Sequence, residues 1–577
     1  MKKIIVRRDI GDSGHALPAH LHPVLRRVYA ARRLCNEREL VCSLEGLLPY
    51  TSLKGIEGAV ELLVEALREQ QRILIVADFD ADGATSCAVA VRALRLLGAR
   101  DVRFVVPNRF EYGYGLTPEI VAVAAEQQPR LIITVDNGIS SVEGVAAAKA
   151  RGMRVLITDH HLPGASLPAA DAIVNPNQTG DGFPSKHLAG VGVIFYVMLA
   201  LRARLRDIQW FARAGIAEAN LGQLLDLVAL GTVADVVPLD HNNRILVSQG
   251  LARIRAGRCN AGIRALLDIA GRNPQQLVAA DLGFAVGPRL NAAGRLQDMS
   301  LGINCLLSDD LAEARVMAAR LDQLNQERRV IETQMQDEAL AGLAELQLSD
   351  EDTALPIGLC IYQEHWHQGV IGILASRIKD RLHRPVIAFA QASEGELKGS
   401  ARSVQGVHIR DVLDAVAAHH PGLVSKFGGH AMAAGLSLSR ENFAGFSAAF
   451  DEEVRRHLAP EDLRGIILSD GELAPEDMNL EMAELLRGAG PWGQAFPEPL
   501  FDGHFEIVQR RIVGERHLKM VVKAPGRDAV FDAIAFNTMD AEWPPKTAHV
   551  QLAYKLDVNE YRGQRSAQLL VEHVDLL

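Results

Sequence analysis

The chain has 577 residues, 48% of them hydrophobic, and a formal net charge of −10. That length implies three or four domains of ~150 residues, and the charge excludes an overall basic field that would recruit nucleic acid, so such a partner must meet local patches. The six cysteines form no C-x-x-C pair, which argues against a cysteine-rich zinc or redox site and suits a reducing cytoplasm, while no apolar run reads as a signal peptide or a membrane span.

Residues 1–50 are mixed in character and are expected to pack as an extension on the first domain. A helix is expected over 55–68, with Ile56, Val60, Leu63, Val64 and Leu67 on one face. From Ile73 the chain alternates strand and helix. Strands are expected at 73–77, 102–106, 131–135 and 154–158, with helices at 84–97, 117–127 and 141–151. That rhythm predicts an α/β domain with a parallel sheet covered on both faces.

The first strand ends in Asp78-Phe-Asp80-Ala-Asp82-Gly83. Alternate residues of an extended chain point the same way, so the three carboxylates are expected to converge on one point. They repel one another unless a cation or protons neutralise them, and a divalent metal is the simplest occupant. An acidic turn in solvent is the ordinary alternative for these residues alone. An EF-hand is excluded, because its twelfth position would be Val89, where that loop needs a bidentate Glu. The second strand leads into Pro107-Asn-Arg109 and on to Gly115. The third ends in Asp136-Asn-Gly138 and the fourth in Asp159-His160-His161. In open parallel sheets the site lies beyond the carboxyl ends of the strands, so four polar strand ends on one rim outweigh any single motif.

Further on, Gly190-Val-Gly192 reads as close helix packing. Asp235 follows a helical apolar run and precedes a Pro turn. Alone it is as good a cap or turn residue as a ligand, and beside the rim it becomes a candidate ligand. From Arg244 to Arg295 there are eight arginines and no lysine. Residues from Asp309 to about Glu345 form one long charged connector helix, with Leu311, Ala314, Ala318, Leu321 and Leu324 as a stripe.

A second α/β domain follows, with His365-Trp-His367, Lys398-Gly-Ser400-Ala-Arg402-Ser403 and Gly428-Gly429-His430. Its glycines free backbone amides to approach an anion, and Ser, Arg and His suit phosphate. His365 and His367 lack metal-ligand spacing on a helix. The last stretch has short β-rich runs that suggest a small barrel. Arg510, Arg511, Arg516, Lys519 and Lys523 lie beside them. With Phe505, Tyr554 and Tyr561 these fit a single-strand-binding surface, and a docking domain with a solvated face fits nearly as well.

Oxygen and imidazole donors without thiolates favour Mn²⁺ or Mg²⁺ over structural zinc. The carboxylate count exceeds one ion. Two ions ~3.5–4 Å apart would use it and would clamp both oxygens of a phosphate-ester displacement. There is no G-x-x-x-x-G-K-[ST] loop for nucleotide hydrolysis and no G-x-S-x-G elbow for acyl transfer.

Asp78-Phe-Asp80-Ala-Asp82-Gly, Val135-Asp136-Asn-Gly, Thr158-Asp159-His160-His161 and Gly231-Thr-Val-Ala-Asp235 resemble the ordered motifs of the DHH phosphoesterase family. Gly428-Gly429-His430 resembles that of its associated DHHA1 domain. The Pro107–Gly115 loop, Gly287–Arg295, Lys398–Ser403 and the C-terminal barrel together resemble the branch of single-strand-specific 5′→3′ DNA exonucleases. The resemblance implies an N-terminal extension (1–50), a DHH catalytic domain (51–308), a connector helix (309–350), a DHHA1 domain (351–457) and an OB-like barrel (458–577). It implies Asp80, Asp82, Asp136, His160 and Asp235 as metal ligands, with Asp136 bridging and Asp78 ligating or tuning the site. Asp159 would orient the histidines and His161 would contact the scissile phosphate. Arg109, Arg289, Ser400 and Arg402 would hold a 5′-terminal phosphate, and His430 would face the cleft. The activity implied is metal-dependent hydrolysis of single-stranded DNA to 5′-mononucleotides in repair and recombination. Two Mn²⁺ or Mg²⁺ ions, helicase and single-strand-binding-protein partners and a cytoplasmic location go with it. The rival readings are a phosphodiesterase of short oligonucleotides, cyclic dinucleotides or pyrophosphate, which has no use for the barrel, and a non-catalytic DNA-binding scaffold, which has no need of the ligands.

Overall fold

The structure, a computed structural model, describes residues 3–11, 17–107, 115–349, 355–459, 463–514, 517–524, 529–536 and 549–576. Arg109, most of its loop and Arg516 lie outside them. The chain divides into two compact units, Arg7–Asn325 with Leu468–Leu577, and Met1–Val6 with Gln326–Ile467.

After β1 (Ile4–Arg7), the larger unit builds a parallel sheet from β2 (Ile73–Ala77), β3 (Val102–Val105), β4 (Leu131–Val135), β5 (Arg154–Thr158) and β6 (Ala172–Val174). The strand order is β3-β2-β4-β5-β6. β2 and β4 are buried at every position, which is why they read as unbroken apolar runs. Ala77 pairs with Val135 and Val135 with Thr158. The next residues, Asp78, Asp136 and Asp159, therefore leave the sheet side by side. β6 pairs with β5 and was not expected from the sequence.

The helix after β2 runs Ala81–Leu96, earlier than expected, because the Asp80 side chain caps it by accepting from the amides of Asp82 and Gly83. Helices Gly190–Asp207, Leu225–Ala234 and His241–Arg255 complete the cover. The first two, and the start of the third, are buried along most of their length, so they lack the polar face of a surface helix.

The first fifty residues pack more widely than on the sheet domain alone. Leu48 N donates to Asn242 Oδ1 at 3.1 Å, as expected of such an extension. Tyr29, on helix Pro23–Ala31, also lies 6.1 Å from Trp492 and donates its hydroxyl to Ala489 O at 2.9 Å. Arg32 pairs with Asp470 at 2.8 Å, both side chains buried. The Arg244 guanidinium stacks 4.4 Å over Phe496. These contacts tie residues 470–500, and the barrel that follows, into the same unit as the metal site.

A single helix, Leu311–Ser349, carries the chain from one unit to the other. Its early stripe, Ala314, Ala318, Leu321 and Leu324, is buried in the core of the larger unit, and Met335, Ala339 and Leu343 in that of the smaller. The smaller unit has β7 (Leu359–Tyr362), β8 (Val386–Ser393), β9 (Glu396–Arg402), β10 (Lys426–Gly429) and β11 (Ala433–Ser439), in the order β10-β11-β9-β8-β7. Only β7 and β8 pair in parallel.

β12 (Ile466–Ser469) pairs with β1. Then β13 (Phe501–Val513), β14 (His517–Lys523), β15 (Val530–Ala535), β16 (His549–Tyr561) and β17 (Gln564–Leu576) close a barrel. Burial alternates along β14, the period of a strand with one face inward. That period corrects one expectation. Phe505 and Tyr554 are 1% and 0% exposed, their ring centroids 5.6 Å apart inside the barrel. Of the three aromatics expected on a strand-binding surface, only Tyr561, 65% exposed, is outside.

Candidate metal centre

Asp78, Asp80 and Asp82 do not meet at one point as an extended chain would bring them. The helix has already begun at Ala81, so Asp80 is its cap and Asp82 lies in its first turn. The carboxylates separate into neighbouring groups. Donor atoms of Asp78, Asp80 and Asp136 lie within 4.8 Å of one another. So do those of Asp82, His160 and Asp235, and those of Asp136, His160 and His161. Asp136 and His160 each belong to two of these groups, so the rim is one continuous bed of donors.

Asp82 is held by a helix terminus. Gly190 N donates to its Oδ2 at 2.6 Å and Val191 N to its Oδ1 at 2.9 Å. These are the first amides of helix Gly190–Asp207, groups with no partner inside their own helix. A Cβ on Gly190 would come 2.6 Å from Asp136 Cβ, and one on Gly231 would come 2.9 Å from Asp82 Oδ1. The Gly190-Val-Gly192 signal was thus a packing signal with a candidate ligand, Asp82, at its centre. On the opposite side, Asn291 Oδ1 accepts from Ala81 N at 2.7 Å. A Cβ on Gly294 would collide with Phe79 O at 1.8 Å.

Asp136 has φ 61, the left-handed region that a β-carbon disfavours. It is locked there by neighbours. Asn137 Nδ2 donates to Val135 O at 2.8 Å and Val76 O at 3.1 Å, and Asp136 N donates to Thr158 O at 3.1 Å. The turn throws the Asp136 carboxylate back over the strand ends. Asp235 caps the C-terminus of helix Leu225–Ala234.

Asp159 is buried beneath the histidines. It accepts from Ile139 N at 2.9 Å, His160 N at 2.7 Å and His161 N at 3.0 Å, and its Oδ1 lies 2.7 Å from His161 Nδ1. Burial opposes its charge, but the His161 hydrogen bond and the charge of both imidazoles bring its pKa down to about 2. Burial also opposes charge on His161, yet Asp159 and the surrounding acids raise it to about 9. Asn177 Nδ2 donates to His160 O at 2.5 Å and Asn175 Nδ2 to His161 O at 2.9 Å. These asparagines were missed from the sequence, where only the Asn-Pro-Asn turn after an apolar triplet could have marked them.

The electrostatics fit a cation. Burial, then the charges of Asp235 and Asp80, push Asp82 up to about 7. Burial, then Asp80, do the same to Asp235. Asp136 rises well above the carboxylate range through burial and four neighbouring aspartates. Burial, then the charge of His161, lowers the His160 pKa and so favours the neutral imidazole, the form that ligates. Among the described residues, buried His160 Nε2 and Asp235 Oδ2 make no hydrogen bond. They lie 3.5 Å apart, and His160 Nε2 is 3.1 Å from Asp136 Oδ1. Donors crowded this closely and left unsatisfied are those of a divalent-metal site, and an oxygen-rich set with one or two imidazoles suits Mn²⁺ or Mg²⁺.

The expected phosphate ligands are spread over both units. Arg289 is already engaged: Nη2 lies 2.8 Å from Asp322 Oδ1 and Nη1 donates to Ala285 O at 2.6 Å. Ser400 and Arg402 share one side of β9 in the smaller unit, where Arg402 Nη1 donates to Ser400 Oγ at 3.0 Å. A Cβ on Gly372 would come 2.8 Å from Arg402 Nη2 and 2.9 Å from Ser400 Oγ. Gly372 therefore packs against both at the start of helix Ile371–Leu382. Burial alone lowers the Arg402 pKa. His430 is exposed just beyond β10, its backbone amide bonded to Ala433 O at 2.8 Å. His365 pairs with Glu338 at 2.8 Å.

Comparison with known proteins agrees with this geometry. Residues 72–232 match the model of the DHH family, N-terminal domain, residues 356–456 the DHHA1 domain and residues 469–573 the RecJ OB domain. The single-stranded-DNA-specific exonuclease RecJ of Dickeya dadantii (strain 3937) is 60% identical over 559 residues, 97% of each chain. That of Escherichia coli (strain K12) is 58% identical over 574 residues, 99% of each chain. The crystal structure of RecJ in complex with Mn²⁺ from Thermus thermophilus superposes with a TM-score of 0.81 at 30% identity, covering 99% of this chain and 79% of that one. A Mg²⁺ complex of RecJ from the same source superposes with a TM-score of 0.75 at 28% identity.

Proposed function

The chain belongs to the RecJ family of single-stranded-DNA-specific exonucleases, and on that premise we propose that its metal centre hydrolyses single-stranded DNA from the 5′ end to 5′-mononucleotides. Mn²⁺ or Mg²⁺ is the cofactor. The observation that carries the mechanism is the continuous donor bed, in which Asp136 belongs to both the Asp78–Asp80 and the His160–His161 groups. Asp80, Asp82, Asp136, His160 and Asp235 would hold the ions, with Asp78 at the edge of the bed. Bound there, the metal supplies Lewis acidity to the phosphodiester and lowers the pKa of an attacking water.

The chain's own residues do the rest. Gly190 and Val191 fix the Asp82 carboxylate, and Asp159 fixes the His161 ring and supports positive charge on it. That charge is suited to the scissile phosphate. His161 is the group we assign to that contact, because its charge is stabilised from behind by Asp159 and its side chain is 32% exposed.

Metals do not choose a strand end, because phosphodiester chemistry is the same along the chain. We assign end selection to Arg402 and Ser400, with Gly372 against them. A terminal phosphate carries more charge than an internal one and matches the guanidinium fork. His430 is placed with the same group. Strand affinity comes from the barrel, where Arg511 on β13 pairs directly opposite Lys519 on β14. Lys519 is paired with Asp532 at 3.4 Å and would exchange that partner for a phosphate beside Arg511.

An enzyme confined to single strands needs them supplied and kept open, so a helicase and a single-strand-binding protein are the partners this reading implies. A cytoplasmic location follows from the DNA substrate and from six free cysteines. None of the described helices is long and apolar enough to cross a membrane. The deciding experiment incubates 5′-labelled and 3′-labelled single strands with Mn²⁺, with and without chelator. Early release of the 5′ label alone, abolished by chelator, is expected. Early release of the 3′ label, or release in chelator, would reject the mechanism.

A further inference from the structure

The arginine-rich stretch from Arg244 to Arg295 divides in two. Some of its members are committed to neighbours: Arg244 and Arg255 donate to Leu239 O and Leu277 O, and Arg272 and Arg289 pair with Asp281 and Asp322. Arg253, whose Nη2 donates to Arg258 O at 2.9 Å, lines a cavity of about 920 Å³ together with Arg258, Arg264, Arg92 and Arg95. The cavity lies in the larger unit. It is bounded by the end of helix Ala81–Leu96, the start of helix Leu225–Ala234 and the loop before helix Ala261–Ile269.

Five guanidinium groups share this space with two carboxylates, Asp226 and Asp309. Asp226 is committed elsewhere, accepting from Leu227 N at 2.9 Å and Asn260 N at 2.6 Å. Asp309 pairs with Arg92 at 2.8 Å, and Arg264 with Asp268 at 2.8 Å. Arg95, Arg253 and Arg258 form no ion pair among the described residues. The Nε of Arg253 is buried without a hydrogen-bond partner. Convergent cations of this kind, in a protein of net charge −10, call for an anion, and arginine forks match a phosphate monoester in particular. Leu224 and Leu227 give the cavity an apolar wall, and its volume lies in the range of small-ligand sites.

The cavity is separate from the metal centre. Helix Ala81–Leu96 starts at the metal-site acids and first meets the cavity at Arg92, 11 residues on, roughly 17 Å away at 1.5 Å per residue. Helix Leu225–Ala234 runs the other way and ends at Asp235. The two touch where a Cβ on Gly231 would come 2.2 Å from Thr85 Oγ1.

We propose that this cavity is a second ligand site, taking a nucleoside 5′-monophosphate by its phosphate, apart from the path of the substrate strand. The test is calorimetric titration of the full-length, metal-free protein with dAMP. Saturable binding is expected, with deoxyadenosine failing to bind and inorganic phosphate binding more weakly. Arg253→Gln with Arg258→Gln should weaken dAMP binding about tenfold or more while leaving cleavage of single strands intact, so that failure here is distinct from failure of the exonuclease reading. Circular dichroism of that double variant guards against misfolding. Absence of dAMP binding, or binding that survives the double substitution and is lost in Arg402→Gln, would overturn the proposal. So would displacement of dAMP by an oligothymidylate lacking a terminal phosphate, which would make the cavity a groove for the strand backbone.

Discussion

The amide of Gly190 donates to Asp82 Oδ2 at 2.6 Å, and a Cβ on the same glycine would stand 2.6 Å from the Cβ of Asp136. One residue without a side chain thus sets the distance between two groups of metal donors. Gly190→Ala should push the helix start away from both. A shift of this size costs about 1–3 kcal/mol of stability, and a misplacement near 1 Å costs roughly 100-fold in rate. Gly192→Ala is the matched control, because its Cβ would meet only the Leu188 side-chain tip, at 3.1 Å. Melting temperature and cleavage rate at saturating Mn²⁺ check the pair. Equal behaviour of the two variants would remove Gly190 from the site.

Asp136→Asn keeps a side chain that tolerates the left-handed backbone while removing the charge most opposed by its neighbours. Cleavage should disappear. The metal-free protein should melt about 1–3 °C higher, because the repulsion that raises the Asp136 pKa is gone. Melting in chelator and a cleavage assay with Mn²⁺ test both halves. Substantial cleavage by the folded variant would end the bridging role.

The alternation of strand and helix was legible because β2 and β4 are buried on both faces and so carry no polar residue to blur the pattern. The ligand types were legible too, since each directly follows or caps an apolar run. Their convergence was read through the wrong geometry. Asp80 and Asp82 belong to a helix start, and a capping aspartate followed by helix formers signals that start as well as it signals an extended turn. The Asp82 partnership of Gly190, read only as close packing, and the roles of Asn175 and Asn177 were missed for a different reason. They act through backbone amides and carbonyls across more than ten residues of chain, and no local pattern encodes such a partner. In the barrel the β period was visible, but which half of the aromatics faced inward depends on register, which sequence alone did not fix for Phe505 and Tyr554.

The raised carboxylates give a pH dependence of defined sign. Asp82 and Asp235 have folded pKa values of about 7 against 3.8 for the free side chain. The metal-free folded state therefore holds protons that the unfolded chain releases. Stability is greatest below the unfolded value and falls as pH rises from about 4 through about 7. His161, raised to about 9 from 6.5, loses its contribution above that interval, and Asp159, lowered to about 2, loses its own only below it. Between pH 5 and pH 6.5, melting in chelator should fall with rising pH and the gain on adding Mn²⁺ should grow. Asp235→Asn should flatten both trends. A metal-free melting temperature that rises over this interval, with no difference in the variant, would contradict the assignment.

Deleting everything from residue 470 onward would strip Tyr29 and Arg32 of Trp492 and Asp470, so the barrel's role is better tested by charge. Arg511→Gln with Lys519→Gln removes two cations that face each other across β13 and β14. Affinity for long single strands should fall, and the slope of log affinity against log salt should drop by about 1.4, roughly 0.7 for each phosphate no longer neutralised. Very short oligonucleotides should be cut at the original rate. An unchanged slope would place strand binding elsewhere.

The proposed choice of strand end rests on Arg402. It donates to Ser400 Oγ at 3.0 Å and to Ala401 O at 2.8 Å through Nη1, and this leaves Nη2 directed past Gly372. Burial disfavours its charge and no acidic group among the described residues compensates, so an arriving dianion gains more from this guanidinium than from a solvated one. Lysine at the same place would keep the charge and lose the two-point fork. Arg402→Lys should therefore slow digestion of 5′-phosphorylated strands about tenfold or more, the worth of one charge-assisted bond. Strands with a 5′-hydroxyl, which lack the group the fork reads, should change little. Gly372→Ala, which places a methyl 2.8 Å from Nη2, should reproduce the selective loss without touching the charge, whereas a residue that merely grips the backbone would affect both substrates. Initial rates on the matched pair of strands, for both variants and the parent, decide it. Equal losses on the two strands would show that Arg402 holds the strand generally, and the end would have to be chosen by another group.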